Sequence, residues 1–318
     1  MAIPSSRPLA LLLPGGTTTT VHVLGARGSG REEARLLPEH AQGAQRASID
    51  RRMRSLTVAS VAALIALAGV LGVARPASAA GYKVVIVVGP THSATANYIE
   101  SAKRYASQAR SYGASVYEIY SPNATWDRVK SVAQGAKVLM YLGHGNGWPS
   151  PYAPFSAYSK DGMGLNATAG AGNANTKYYG EYYMSHYLKL AANAVVILNR
   201  LCYASGNSEP GNANPTKSTA MKRVDNFGAG FLRTGAKAVF ASGITSVAFY
   251  LRALFTGSRS MTFKQMFYSD PSRTMTGNFG FYSSRTPGAT ASMDPSAPGK
   301  YYRSVVGWTS VTVGAWRG

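Results

Sequence analysis

The chain has 318 residues, and its 33 Lys and Arg against 13 Asp and Glu give a formal net charge of +20. That length fits two ordinary domains at most, and an apolar fraction of 45% supports a hydrophobic core and excludes global disorder. The single cysteine excludes an intrachain disulfide framework and a Cys-rich zinc site.

The N-terminal part of the chain differs in composition from the rest, because all 20 Tyr lie beyond residue 80. Residues 1–52 show no apolar periodicity that predicts a helix or a strand. We interpret them as a disordered arm or as translated upstream sequence, in which case the true start is Met53 rather than Met1.

Residues 53–80 have the pattern of a signal peptide. Arg54 supplies the positive n-region, residues 56–73 are apolar, and a small-residue cleavage motif ends at Ala79. The apolar segment is long enough to anchor the chain in a membrane if it is not cleaved, but the cleavage motif favours removal. We therefore expect a secreted protein, either extracellular or associated with the cell wall.

From residue 81 onward, strand-like and helix-like patterns alternate. The predicted strands cover 82–88, 115–120, 137–142, 194–199 and 237–241, and the predicted helices cover 93–112, 126–133, 217–234, 246–255 and 261–268. Residues 143–185 show no clear period and are too long for an idle connection, so they are functional or contain short elements. Residues 270–300 are predicted as a loop and 302–313 as an edge strand or a hairpin. This order predicts one α/β domain over 81–318 with a mostly parallel central sheet.

Two loops rich in small residues follow central predicted strands. Residues 143–148 contain His144 and residues 201–206 contain Cys202. The carboxyl ends of strands are where ligand and catalytic groups collect in open α/β sheets. A cysteine is a strong nucleophile only as a thiolate, so it benefits from a nearby imidazole. If the two strands are neighbours, their ends lie ~5 Å apart, and Cys202 and His144 can face one reacting carbon.

At these residues the chain resembles the caspase-like cysteine peptidases, and within them a secreted bacterial branch. In that family a strand ending in His-Gly precedes a strand whose loop carries the Cys, with roughly 50 residues between His and Cys in caspases. The resemblance covers about residues 82–256 and implies a three-layer α/β domain. It also implies an endopeptidase with Cys202 as nucleophile, His144 as general base, and an oxyanion hole formed by the amides of Gly145 and Cys202. One departure is Leu201, where the family has a small residue before its Cys.

Further residues of these loops are predicted to form the rim of the substrate pocket. They are His92, Asn146, Trp148, Ser205 and Glu209. Glu209 would orient a basic P1 side chain through a charge-assisted hydrogen bond. No spacing among the His, Cys and Glu residues fits a metal site, so we predict no metal and no other cofactor.

Two non-catalytic interpretations stay open beside the enzymatic one, whose partner is a peptide or protein substrate. A lone Cys is often a small buried hydrophobe, so the fold could be a caspase-like one that has lost activity, with Leu201 as the cause. Alternatively the chain is a basic cell-envelope protein that binds an anionic wall polymer or a glycan. The charges are scattered and no nucleic-acid-binding motif is present, so no nucleic acid partner is predicted. Nothing in the sequence indicates an oligomeric state.

Overall fold

The computed structural model describes residues 81–318, so the predictions made for 1–52 and for the signal peptide 53–80 lie outside the described residues. The strands are β1 (Lys83–Val88), β2 (Ser115–Tyr120), β3 (Val138–Leu142), β4 (Met163–Asn166), β5 (Thr176–Tyr179), β6 (Val195–Asn199), β7 (Ala238–Ser242), β8 (Phe279–Tyr282), β9 (Thr290–Met293) and β10 (Arg303–Gly307). The helices are α1 (Thr95–Ser111), α2 (Trp126–Val132), α3 (Glu181–Tyr187), α4 (Lys217–Leu232), α5 (Ala248–Thr256), α6 (Phe263–Ser269) and α7 (Val313–Arg317). None of these seven described helices has the length and apolar character needed to cross a bilayer.

Five parallel strands form one half of an eight-stranded sheet with the order β2-β1-β3-β6-β7-β10-β9-β8. The residues of β3, β6 and β7 are all buried, which is what a strand covered on both faces requires. Successive residues of β1 belong to different core clusters, with Val84 in one and Val85 in the other. The predicted α/β class with a mostly parallel sheet is confirmed, as are the five predicted strands between 82 and 241.

The helices bury their apolar faces in these two clusters. Helix α1 contributes Ala102, Tyr105 and Ala109 to the cluster that contains Val84, and the small alanines let the helix lie close to the sheet. Helices α5, α6 and α7 add residues to the same cluster, whereas α2 and α4 add residues to the other one. Burial of both sheet faces accounts for the β-branched, uninterrupted sequence of the central strands.

The antiparallel half of the sheet corrects two predictions. The loop predicted over 270–300 contains β8 and β9, and β10, predicted as part of an edge strand or a hairpin, lies in the sheet interior between β7 and β9. Gly and Ser residues weaken the strand pattern of β8 and β9, and β10 opens with a charge, Arg303. Arg303 is buried and forms ion pairs with Asp270 at 3.2 Å and with Asp294, so its burial is compensated by the long-range fold.

The long segment 143–185 contains short elements, as one of the two sequence interpretations predicts. Strands β4 and β5 pair as an antiparallel two-stranded sheet, and helix α3 follows. The hydroxyl of Tyr141, a fully buried residue of β3, accepts a hydrogen bond from the N–H of Gly164 at 2.9 Å. This bond fixes β4 beside the carboxyl end of β3, where the candidate site begins.

Candidate active site

The chain reverses its direction of strand addition at β1, because β2 lies on one side of β1 and β3 on the other. In open α/β sheets such a reversal leaves a crevice outside the carboxyl ends of the two strands, and ligands bind there. His92 lies four residues after the end of β1, and His144 lies two residues after the end of β3. Their ring centroids are 5.7 Å apart with an interplanar angle of 72°. The crevice therefore contains two imidazoles in edge-to-face contact.

Cys202 lies in the loop after β6, at the same edge of the sheet as the loop after β3. Strands β3 and β6 are parallel neighbours, and their last residues, Leu142 and Asn199, are partners in the register. His144 lies two residues beyond that pair and Cys202 lies three residues beyond it. The condition that the sequence left open, that these two strands are neighbours, is fulfilled.

The two loops touch through their backbones. A Cβ atom placed on Gly145 would lie 1.9 Å from the carbonyl oxygen of Cys202, although real Cβ contacts are essentially never under 3.0 Å. A Cβ atom on Gly147 would lie 2.4 Å from the Cβ of Tyr203. Only glycine allows such close approach of two chain segments. The glycines beside His144 thus bring its loop directly against the loop of Cys202.

The amides predicted to form an oxyanion hole have no hydrogen-bond acceptor among residues 81–318. This holds for the N–H groups of both Gly145 and Cys202, whereas the Cys202 carbonyl accepts the N–H of Ala204 at 2.9 Å. Gly145 is buried, and buried backbone donors normally have a partner because an unpaired one costs free energy. Neither N–H is used within residues 81–318, and Gly145 and Cys202 line two different cavities.

The backbone of the His144 loop is held by Tyr141. Its hydroxyl lies 3.0 Å from the carbonyl oxygen of His144 and 2.8 Å from that of Gly164. Because Tyr141 is completely buried in β3, this contact gives the loop a rigid support.

Left-handed backbone conformations flank Cys202. Arg200 has φ +65° and Tyr203 has φ +68°, which is uncommon for residues other than glycine and costs on the order of 1–3 kcal/mol each. The surrounding structure maintains them: the N–H of Arg200 donates to Ser242 at 2.7 Å, and the guanidinium of Arg223 lies 4.7 Å from the centroid of the Tyr203 ring. Strain of this kind concentrates at functional sites, where it holds a side chain in a required position.

His144 is set up to be a neutral base. Its partial burial lowers the pKa of its imidazole, and the neighbouring His92 lowers it further, whereas Glu209 opposes both effects. A lowered pKa means that the ring is unprotonated at neutral pH and can accept a proton.

Cys202 is a protonated thiol in this state of the protein. Burial raises its pKa to about 11, and the negative charge of Glu209 contributes to the rise. Among residues 81–318, no group forms a hydrogen bond with its sulfur atom, including the imidazole of His144. The thiolate–imidazolium ion pair is therefore absent here, and the thiol must lose its proton during an attack.

Two adjacent cavities open around these residues and share Glu209. The first, about 290 Å³, is lined by Cys202, and the second, about 360 Å³, is lined by His144 and His92. Glu209 accepts a hydrogen bond from the hydroxyl of Tyr152 at 2.7 Å, and Tyr152 itself lines the second cavity. The Tyr152–Glu209 pair thus lies where the two cavities meet.

The predicted rim residues divide into two groups. His92, Asn146 and Glu209 line the cavities. Ser205, in contrast, is 1% exposed and its hydroxyl donates to the carbonyl of Tyr301 at 2.9 Å, so it supports the loop from within. Trp148 lines neither cavity. Its N–H donates to a buried carboxylate and its carbonyl accepts from a residue of α4, which turns this part of the loop toward the core.

Several lining residues were not identified from the sequence. Lys160 and Tyr178 line the His144 cavity, and Lys160 donates to the side chain of Asn146 at 2.8 Å. Tyr98 and Tyr302 line the Cys202 cavity. The Tyr-rich composition of 143–185 was the available signal for Tyr178, whereas nothing local marks Tyr302, which reaches the site only because β10 is an interior strand.

Residues 81–318 contain no group of three or more His, Cys, Asp or Glu side chains that could hold a metal ion together. The chain matches no protein-family model, no curated protein and no solved structure. A function for the site is therefore inferred from its geometry and chemistry.

Proposed function

We propose that the chain is a secreted cysteine hydrolase with a three-layer, caspase-like fold, most simply an endopeptidase that uses Cys202 and His144. The observation that carries this proposal is the backbone contact between Gly145 and Cys202 at the paired ends of β3 and β6. It brings a thiol and an imidazole that are far apart in sequence to touching loops at the same edge of the sheet.

The reaction follows from the two protonation states. The thiol of Cys202 loses its proton to neutral His144 while its sulfur attacks the peptide carbonyl carbon, and the resulting oxyanion accepts hydrogen bonds from the free amides of Gly145 and Cys202. The protonated imidazole then donates to the leaving amine as the C–N bond breaks. Water, deprotonated by His144, hydrolyses the acyl-enzyme and restores the thiol.

Glu209 is the expected contact for a basic side chain of the substrate, since it is the one carboxylate among the residues that line either cavity. Arg200 and Lys300 line the same cavity as Cys202 and would repel a cation that does not reach Glu209. A panel of fluorogenic peptides that differ only in the P1 residue, with Arg, Asn and Asp compared, measures whether the site prefers a positive, a neutral or a negative P1 side chain.

Because the chain has one cysteine, covalent labelling reports on Cys202 alone. A peptidyl acyloxymethyl ketone should label the full chain stoichiometrically, as seen by intact mass, whereas Cys202→Ala should show neither labelling nor peptide hydrolysis. His144→Ala should lose the labelling that depends on the peptidyl probe but keep slow alkylation by iodoacetamide, since the thiol remains.

The matched control is His186→Ala, which removes an exposed imidazole of α3 outside both cavities. It should hydrolyse peptides at the wild-type rate. Peptide hydrolysis that persists in Cys202→Ala would refute the proposed dyad. An equal loss of hydrolysis in the His144 and His186 variants would refute it as well.

A catalytically inactive protein with the same fold is the second candidate, and one observation favours it. Burial holds the pKa of Cys202 near 11, whereas catalytic thiols usually have a lowered pKa. Leu201 is 1% exposed and packs in the hydrophobic core beside Cys202, which fixes a bulky residue at this position. Failure of both the probe and the peptide panel with a well-folded protein would select this candidate.

A further inference from the structure

A cavity at the antiparallel half of the sheet has a composition different from that of the Cys-His site. It measures about 540 Å³, more than either cavity around Cys202 and His144, and shares no lining residue with them. We name it the β8–β9 cavity because its floor is formed by Gly280 and Tyr282 of β8 and by Thr290 and Ser292 of β9. Three strands separate β6 from β8, so the cavity is a separate site.

The sheet register explains its shape. Gly280 is the partner of Ser292, and Tyr282 is the partner of Thr290, so these four residues share one sheet face. Small residues make the floor low, while Tyr282, with 84% of its surface exposed, rises from the edge strand. Trp308, which follows β10, also lines the cavity. The cavity therefore combines a floor of small residues with two aromatic side chains in its lining.

Hydrogen-bonding groups of this cavity lack partners. Within residues 81–318, the Tyr282 hydroxyl, the Ser292 hydroxyl and the Trp308 indole N–H form no hydrogen bond. Ser292 is 2% exposed and nevertheless lines the cavity. These three groups reach the open cavity rather than being enclosed, so a polar ligand can replace water as their hydrogen-bond partner.

The charges near the cavity have one sign. Lys264 lines it and no lining residue is acidic. The ammonium of Lys237 lies 4.3 Å from the centroid of the Trp308 ring, which positions the indole by a cation–π contact. An anionic group on a ligand would therefore meet positive charge and no carboxylate.

We propose that the β8–β9 cavity binds an acidic oligosaccharide. A sugar ring has an apolar C–H face that packs on aromatic rings and hydroxyl groups that accept hydrogen bonds from unpaired donors, and a uronic carboxylate supplies the negative charge. This assignment gives the basic protein an anionic glycan partner at a site that does not depend on Cys202. A catalytic or an inactive Cys-His site is equally compatible with it.

The test titrates the full chain with a galacturonic acid tetramer and with the neutral galactose tetramer, by calorimetry and by tryptophan fluorescence. The acidic tetramer should bind, and Tyr282→Ala should weaken it by about tenfold through loss of ring stacking. Tyr117→Ala is the matched control, because Tyr117 is also an exposed tyrosine on an edge strand beside a lysine, in β2. That variant should bind as the wild type does.

Two further comparisons separate the parts of the proposal. Lys264→Gln should reduce the affinity for the acidic tetramer to that for the neutral one, and raised salt should do the same. Cys202→Ala should bind unchanged, so loss of hydrolysis and loss of glycan binding are distinguishable. No binding of either tetramer at millimolar concentration, equal binding of both by the wild type, or equal effects of the Tyr282 and Tyr117 variants would overturn the proposal.

Discussion

Replacement of Gly145 by Ala tests the contact on which the proposed dyad depends. The new methyl group would lie 1.9 Å from the carbonyl oxygen of Cys202, and the closest real contact of a Cβ atom is 3.0 Å. One loop must therefore move by roughly 1 Å relative to the other, a displacement that can cost about 100-fold in rate when reacting groups are misplaced. Overpacking of this kind also costs about 1–3 kcal/mol of stability.

The assay compares hydrolysis of the best fluorogenic peptide with thermal unfolding. Gly145→Ala should lose about 100-fold in kcat/KM, while its Tm falls by a few degrees, about 2–4 °C for each kcal/mol. The control is Gly170→Ala, which forces a left-handed alanine at φ +76° but has no atom within 4 Å of the new Cβ. It should lose a similar ~1 kcal/mol and keep full activity.

Full activity in Gly145→Ala with an intact fold would refute the reasoning, because it would show that the two loops need not touch. Equal losses of activity in both glycine variants would attribute the effect to general destabilisation instead.

Three more predictions concern buried charge. The rate of iodoacetamide alkylation of Cys202 should keep rising up to about pH 11. Glu209→Gln should shift this pH dependence to lower pH because a negative charge is removed. A rate that reaches its plateau near pH 8.5 in the wild type would contradict both expectations. Burial raises the pKa of Asp161 well above its ordinary value. The wild type should therefore lose stability as pH rises through that pKa, whereas Asp161→Asn should not. A difference in Tm between the two proteins that is constant with pH would contradict this. Arg303→Met leaves two buried aspartates without their cation and should lower the free energy of unfolding by about 3–5 kcal/mol in denaturant titrations; a loss under ~1 kcal/mol would contradict it.

The sequence predicted the parallel half of the fold well because burial on both faces leaves a direct trace. Strands such as β1 and β3 are runs of apolar residues, and a glycine directly follows each of them. The antiparallel half left no such trace. Its strand β10 depends on the pairing of Arg303 with two distant aspartates, which no local pattern reports.

The candidate site was predictable to the level of loops but not of side-chain direction. His144 and Cys202 follow from their positions after strands. The inward orientation of Ser205 depends on the left-handed turn at Tyr203 and on the acceptor supplied by Tyr301, two residues before β10. Both are tertiary features, so a residue three positions from the proposed nucleophile was assigned to the pocket rim although it is buried.

The strand order also determines when the proposed dyad can assemble. The loops that carry His92, His144 and Cys202 come together only after β1, β3 and β6, which are separated by long stretches of chain, have paired, so their convergence has a high contact order. On the proposed function, a nascent or translocating polypeptide keeps thiol and base apart and cannot digest its neighbours. Proteolytic competence would then report completed folding.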